Sequence, residues 1–137
     1  MAVKANHDIS SGLDTAFINS AINSNLAYRP EFVSNDYTQG KKVSVAIERE
    51  LRHCDAFYIS VAFITEGGLA PLKQVLAELR DKGIPGKILT TSYLTFTEPK
   101  ALKTLADLSN VEVRVYYSTD EGASGFHTKG YIFKEEE

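Results

Sequence analysis

Ala56-Phe57-Tyr58-Ile59-Ser60-Val61-Ala62-Phe63-Ile64 is a nearly continuous apolar run, and its reading decides the fold. Runs of this kind belong to central strands of a sheet covered on both faces. Directly after it, Thr65-Glu66-Gly67-Gly68 opens a segment in which Leu69, Leu72, Leu76 and Leu79 recur at helical spacing, with Val75 beside them. Gly83-Ile84-Pro85-Gly86 then stops the helix and turns the chain into a second strand, Lys87-Ile88-Leu89-Thr90-Thr91.

The alternation continues toward the C-terminus. Thr97-Glu98-Pro99 carries a cap residue and a first-turn proline, and Leu102, Leu105 and Leu108 mark the buried face of the helix that follows. Asn110 ends it. Val111, Val113 and Val115 then alternate with Glu112, Arg114 and Tyr116 as a third strand. Ser118 to Gly125 is a loop of small and acidic residues, expected to be mobile. Phe126-His127-Thr128-Lys129-Gly130-Tyr131-Ile132-Phe133 follows as a fourth strand.

Toward the N-terminus, Lys41 to His53 is helical, with Val43, Ile47 and Leu51 on one face and Glu48, Arg49, Glu50 and Arg52 on the other. Asn23 to Gly40 is polar, broken by Pro30, and reads as a connecting arm whose Tyr28, Phe32 and Tyr37 tack it onto the main body. Leu13, Phe17, Ile18 and Ile22 give a short amphipathic helix, with Ser10 or Ser11 as its N-cap. Residues before Ser11 show no periodicity and read as a loose leader. The expected organisation is an N-terminal helix and arm over 1–40 and a domain over 41–137. The expected fold is α/β, a mostly parallel sheet with helices on both faces and right-handed crossovers.

Composition narrows the function. A hydrophobic share of 43% and a charged share of 24% over 137 residues describe a globular domain able to bury its own core. A net charge of −3 supplies no general attraction to polyanions, so any nucleic-acid contact depends on a local patch. Cys54 is the only cysteine, which excludes an internal disulfide and fits a reducing compartment. No signal peptide or membrane-length apolar run is present, so the protein reads as cytoplasmic, with no membrane partner. Asp8, Glu66 and Asp120 could each ligate a cation, but no metal-site spacing joins them to the histidines, and no cofactor is implied. Cys54 reads as a small buried apolar residue, and His53 as a last-turn partner of its own helix end.

The chemistry centres on His127 and Lys129. In a strand they project from the same side about 7 Å apart. A neutral imidazole can attack phosphorus, and a fixed cation can hold the non-bridging oxygens as negative charge builds on them. A solvated strand face carrying His-x-Lys for no chemical reason is the plainer alternative. Thr65 at the Gly67-Gly68 turn could expose backbone N–H groups to a phosphate, or simply cap its helix. Ligands of such sheets bind beyond the carboxyl ends of the strands, which makes Glu66, Thr90, Ser92 and Tyr93 pocket or phosphate-binding candidates.

These residues carry a resemblance. Phe-His-Thr-Lys-Gly-Tyr-Ile-Phe (126–133) resembles half of the H-x-K-x-x-x-x-D motif of the phospholipase D superfamily. The closer likeness is to the phospholipase D-like domain at the N-terminus of bacterial DEAD/DEAH-box helicases of the restriction-enzyme type. It is carried by Asn35-Asp36-Tyr37, Ile59 to Glu66, Gly86 to Thr90, Thr95 to Leu102 and Val111 to Arg114. The resemblance implies a nuclease: metal-independent phosphodiester hydrolysis of nucleic acid, DNA first, through a phosphohistidine. His127 would be nucleophile or acid and Lys129 the phosphate clamp. A second histidine would come from another copy of the motif, hence a homodimer that completes the site. The motor would follow in the same parent chain, since no G-x-x-x-x-G-K-[ST], D-E-A-D or D-E-A-H is present and the domain reads as truncated at 137. Lys134 stands where the motif has its aspartate. That departure supports the alternative, a non-catalytic module that binds nucleic acid or a protein beside a helicase motor. Phospholipid hydrolysis ranks last, because no basic amphipathic helix is present.

Overall fold

The computed structural model describes residues 33–92, 95–117 and 126–135. The expected helix of Leu13 to Ile22, Tyr28, Phe32, Tyr93 and the 118–125 loop lie outside them. The chain divides into two units, Met1–Lys42 and Val43–Glu137, each described by itself.

In the first unit, Asp36 organises a tight turn. Its backbone exchanges hydrogen bonds with Lys41 (3.0 and 2.8 Å), and Gly40 supplies the positive φ of 68°. The Asp36 carboxylate accepts from the Thr38 hydroxyl at 2.6 Å and from the Thr38 and Gln39 N–H groups. The hydroxyl first, then the Gln39 N–H, hold its pKa below the ordinary carboxylate value. Tyr37, expected to tack this arm down, is 84% exposed. It occupies the turn itself, where a side chain points outward.

The second unit begins with α1 (Val43–His53). Leu51 is fully buried, while Arg52 on the opposite face pairs with Glu48 at 2.7 Å and with Glu78. The His53 ring contacts the Arg49 carbonyl through Nδ1 at 2.7 Å, the expected helix-end role. Cys54 is buried, donates weakly to the Leu51 carbonyl, and has its thiol pKa pushed up by burial.

Strand β1 (Ala56–Val61) ends three residues before the apolar run does. The expected single helix after it is three pieces: α2 (Glu66–Leu69), a 3-10 turn (Ala70–Leu72) and α3 (Lys73–Lys82). Pro71 lies within the 3-10 turn, where it has no N–H to continue an α-helical ladder. Gly83, at φ 70°, closes α3 in the left-handed conformation. Then follow β2 (Gly86–Thr91), α4 (Pro99–Ala106), β3 (Val111–Tyr116) and β4 (Lys129–Lys134). The Thr97 hydroxyl, expected to cap α4, donates instead to the Thr91 carbonyl at 2.8 Å, and Glu98 occupies the cap position.

The sheet is mixed, in the order β3-β2-β1-β4. β1 pairs β2 and β2 pairs β3 in parallel, whereas β4 runs antiparallel to β1. Its core face carries Phe57, Ile59, Ile88 and Phe133, packed with Leu69, Leu76, Leu79 and Leu105 from the helices. The other face is open among the described residues: Tyr58, Leu89 and Ile132 are all exposed, beside Lys87, Glu112 and Arg114 along a groove of about 440 Å³. Against the expectation of helices on both faces, those among the described residues pack on the core face. Both crossovers step in one direction, β1 to β2 to β3, and crossovers of one hand then fall on one side.

Phe57 and Gly86 are direct partners across β1 and β2. A methyl group built on Gly86 would fall inside the Phe57 ring, so this core contact admits glycine alone. Gly86→Ala is expected to lower unfolding stability by about 1–3 kcal/mol. Phe57→Leu in the same background should return part of that loss, as read by urea denaturation. A Gly86→Ala midpoint equal to the parent's would contradict the contact.

Glu66 braces three segments. Its carboxylate meets Lys73 at 3.1 Å, Lys100 at 3.7 Å and the Thr104 hydroxyl at 3.3 Å. Its own N–H donates to the Glu98 carboxylate at 2.7 Å. The Lys73 hydrogen bond, then the charges of Lys73 and Lys100, depress its pKa below the ordinary 4.5. A depressed folded value stabilises the native state above 4.5, and that contribution is lost as pH falls through the folded value. Glu66→Gln should thus lower Tm at pH 7 by calorimetry, with the gap to the parent closing as pH falls below that range. A pH-independent gap would show that the ion pairs do not carry the effect.

Candidate active site

The direction of β4 builds this site. Because it runs antiparallel to β1, its first residue, Lys129, lies opposite Val61 at the carboxyl end of the parallel strands. His127 was expected inside the strand but precedes it by two residues. The pairing nevertheless reaches backward, since the Ala62 N–H donates to the Thr128 carbonyl at 3.1 Å. The Thr128 and Ser60 hydroxyls also meet at 3.1 Å. Thr128 is thus anchored between Lys129, the last paired residue of the ladder, and His127, which lies beyond the end of the strand pair.

There the tips of His127 and Lys129 come together, with Nε2 and Nζ 3.0 Å apart. An ammonium has only donors, so this contact assigns Nε2 as acceptor and leaves the ring proton to Nδ1. Both residues are exposed. Lys129 Nζ also stands 5.9 Å from the centre of the Phe63 ring, within cation–π range. The result is an accessible lone pair and an accessible cation side by side. One could be offered to phosphorus and the other to its oxygens.

The other candidates have different positions. Glu66 is committed to Lys73, Lys100 and Thr104. Thr90 is fully buried, with its hydroxyl 3.4 Å from that of Thr97. Ser92 follows the end of β2, and its N–H donates to the Tyr116 carbonyl at 3.2 Å. Tyr93 lies outside the described residues. Among the described residues, no hydrogen bond or ion pair joins Glu66, Thr90 or Ser92 to His127 or Lys129. Thr65 caps α2, its hydroxyl accepting from the Gly68 N–H at 3.0 Å. With the Glu66 N–H held by Glu98, two donors that a phosphate would need at that turn are already occupied.

The aromatic residues around the pair escaped the reading of the sequence. Phe63 and Phe96 meet edge-on with centres 5.8 Å apart. Phe126 lies 6.2 Å from Tyr116 at the end of β3. The available signal was positional: Phe63, Phe96 and Tyr117 each come just after the close of a parallel strand or in the loop that follows it. Beneath this edge an apolar cavity of about 190 Å³ is lined by Val61, Phe63, Leu69, Leu72 and Tyr131. Burial there pushes the Tyr131 phenol pKa up.

Among the described residues, no cluster of histidine, cysteine and carboxylates has the arrangement of a metal site, and no helix is long and apolar enough to cross a membrane. No family model matches the chain, and no curated protein matches it either.

Proposed function

We propose that this chain is a phospholipase D-like domain of a bacterial DEAD/DEAH-box helicase, and that it hydrolyses phosphodiesters of nucleic acid, DNA first, without a metal. The observation that carries the proposal is the 3.0 Å approach of His127 Nε2 to Lys129 Nζ at the exposed carboxyl edge of the sheet. A phosphate arriving there would draw the ammonium onto its non-bridging oxygens and free the Nε2 lone pair. In-line attack would form a P–N bond and break a P–O bond, the leaving oxygen taking its proton from a second histidine. Water, giving a proton to that second histidine, would then attack phosphorus, break the P–N bond and release the imidazole. The proposed source of the second histidine is His127 of another copy of this chain, in a symmetric dimer.

The aspartate position of the motif bears on this reading. Lys134 pairs with Ala56 at the far end of β4, roughly 17 Å along the strand from Lys129. The replacement therefore takes nothing from the immediate surroundings of the His127–Lys129 pair. A second reading has its own support in the single His-x-Lys pair and in Lys134 at the aspartate position of the motif: a module that binds an anionic strand or a protein without turnover.

The deciding measurement is cleavage of labelled single- and double-stranded DNA in EDTA by the full parent chain. Cleavage should persist in EDTA, fall by about 10³-fold or more in His127→Ala and by about 10²- to 10³-fold in Lys129→Ala. Folded protein that binds DNA but cleaves neither substrate would favour the binding module.

A further inference from the structure

We infer that the Phe63–Phe96 pair is a base-stacking platform that makes the proposed nucleic-acid site selective for single strands; the inference rests on the reading above and extends it. Phe63 is 39% and Phe96 53% exposed, an unfavourable place for two phenylalanines, which carry no polar atom to repay the contact with water. Other aromatic rings of this unit show that the fold can bury one completely, as it does Phe57. The two exposed rings stand edge-on at 5.8 Å, so at least one face of Phe96 is turned away from its neighbour. They are joined to the charged pair by contact: Phe63 by its 5.9 Å approach to Lys129 Nζ, and Lys129 by its 3.0 Å approach to His127.

The backbone beside Phe96 supports the same assignment. Thr95 holds φ 56°, a left-handed conformation that a β-branched residue adopts only under constraint. It follows the end of β2 and donates its N–H to the Ser92 carbonyl at 3.2 Å, one residue before Phe96. Phe126, next to His127 in the chain, leans on Tyr116 at the end of β3. Aromatic rings thus stand beside the charged pair at the ends of the parallel strands.

Cations interleaved with exposed rings are how proteins grip a strand whose bases are unpaired. A duplex keeps its base faces within its own stack and offers Phe96 only sugar and phosphate edges. With a phosphate on Lys129, an unpaired neighbouring base can lie on the Phe63–Phe96 pair. The expected substrate is therefore single-stranded or locally opened nucleic acid, with little preference among bases, since every base has a face to stack.

Binding to the full chain carrying His127→Ala, which the proposed mechanism leaves without its nucleophile, would be followed by fluorescence anisotropy with labelled oligothymidylate, an abasic oligonucleotide of equal length, and a duplex. Phe96→Ala is expected to weaken oligothymidylate binding by about 5- to 100-fold and to leave abasic binding unchanged. Phe96→Tyr should retain it, and Lys129→Ala should weaken both. Equal affinity for oligothymidylate and the abasic strand, or a duplex bound as tightly as the single strand, would overturn the platform while leaving the proposed activity intact. A chain that binds none of the three probes would overturn both.

Discussion

The antiparallel ladder between β1 and β4 is the constraint on which the candidate site depends. Its register runs from Ala56 opposite Lys134 to Val61 opposite Lys129. Shift it by one residue and Lys129 would leave the face it shares with Val61 and Phe133. Reverse its direction and His127 would sit at the amino edge, away from Phe63, Phe96 and Tyr116. The bond from Ala62 to Thr128 extends the ladder just far enough to anchor the residue between histidine and lysine. The two candidate side chains are thus positioned by backbone hydrogen bonds of the ladder and its extension.

Among the described residues the sheet is one-sided, for reasons its strands share. Register partners Tyr58, Lys87 and Glu112 fall on one face, as do Ser60, Leu89 and Arg114. Phe57 and Gly86, then Ile59 and Ile88, fall on the other. The core is therefore a single layer between strands and helices, and its tightest point is a ring laid across a glycine. Such packing places most of the domain's hydrophobic stabilisation on one side, where overpacking is felt at once.

Carboxylates and hydroxyls hold the carboxyl edge together. Glu98 bonds the first turn of α2, Glu66 reaches back toward α4, and Thr97 bonds the end of β2. The sequence reading made Glu66 a pocket candidate and Thr97 a cap; in the structure both, with Glu98, join neighbouring segments. The His127–Lys129 pair and the Phe63 and Phe96 rings are among the groups left exposed at that edge.

Much of this was legible in the sequence because it depends on local periodicity. The strands at β1, β2 and β3, the glycine stop at Gly83, the helix-end role of His53 and the burial of Cys54 all follow from spacing and residue chemistry. That His127 and Lys129 would share a side was likewise available, since alternate residues of an extended chain do. Tertiary structure alone decided the rest. Whether helices cover one face or two depends on the direction in which crossovers step, which no window of sequence contains. The strict alternation of Val111 to Tyr116 hinted at one open face, but the tyrosine of the β1 run masked it, because an aromatic ring with a hydroxyl tolerates either environment. The rings near the pair were out of reach for the same reason: Phe63 and Phe96 are far from Lys129 in the chain, and only the sheet order and the antiparallel sense of β4 bring the strand ends to one edge.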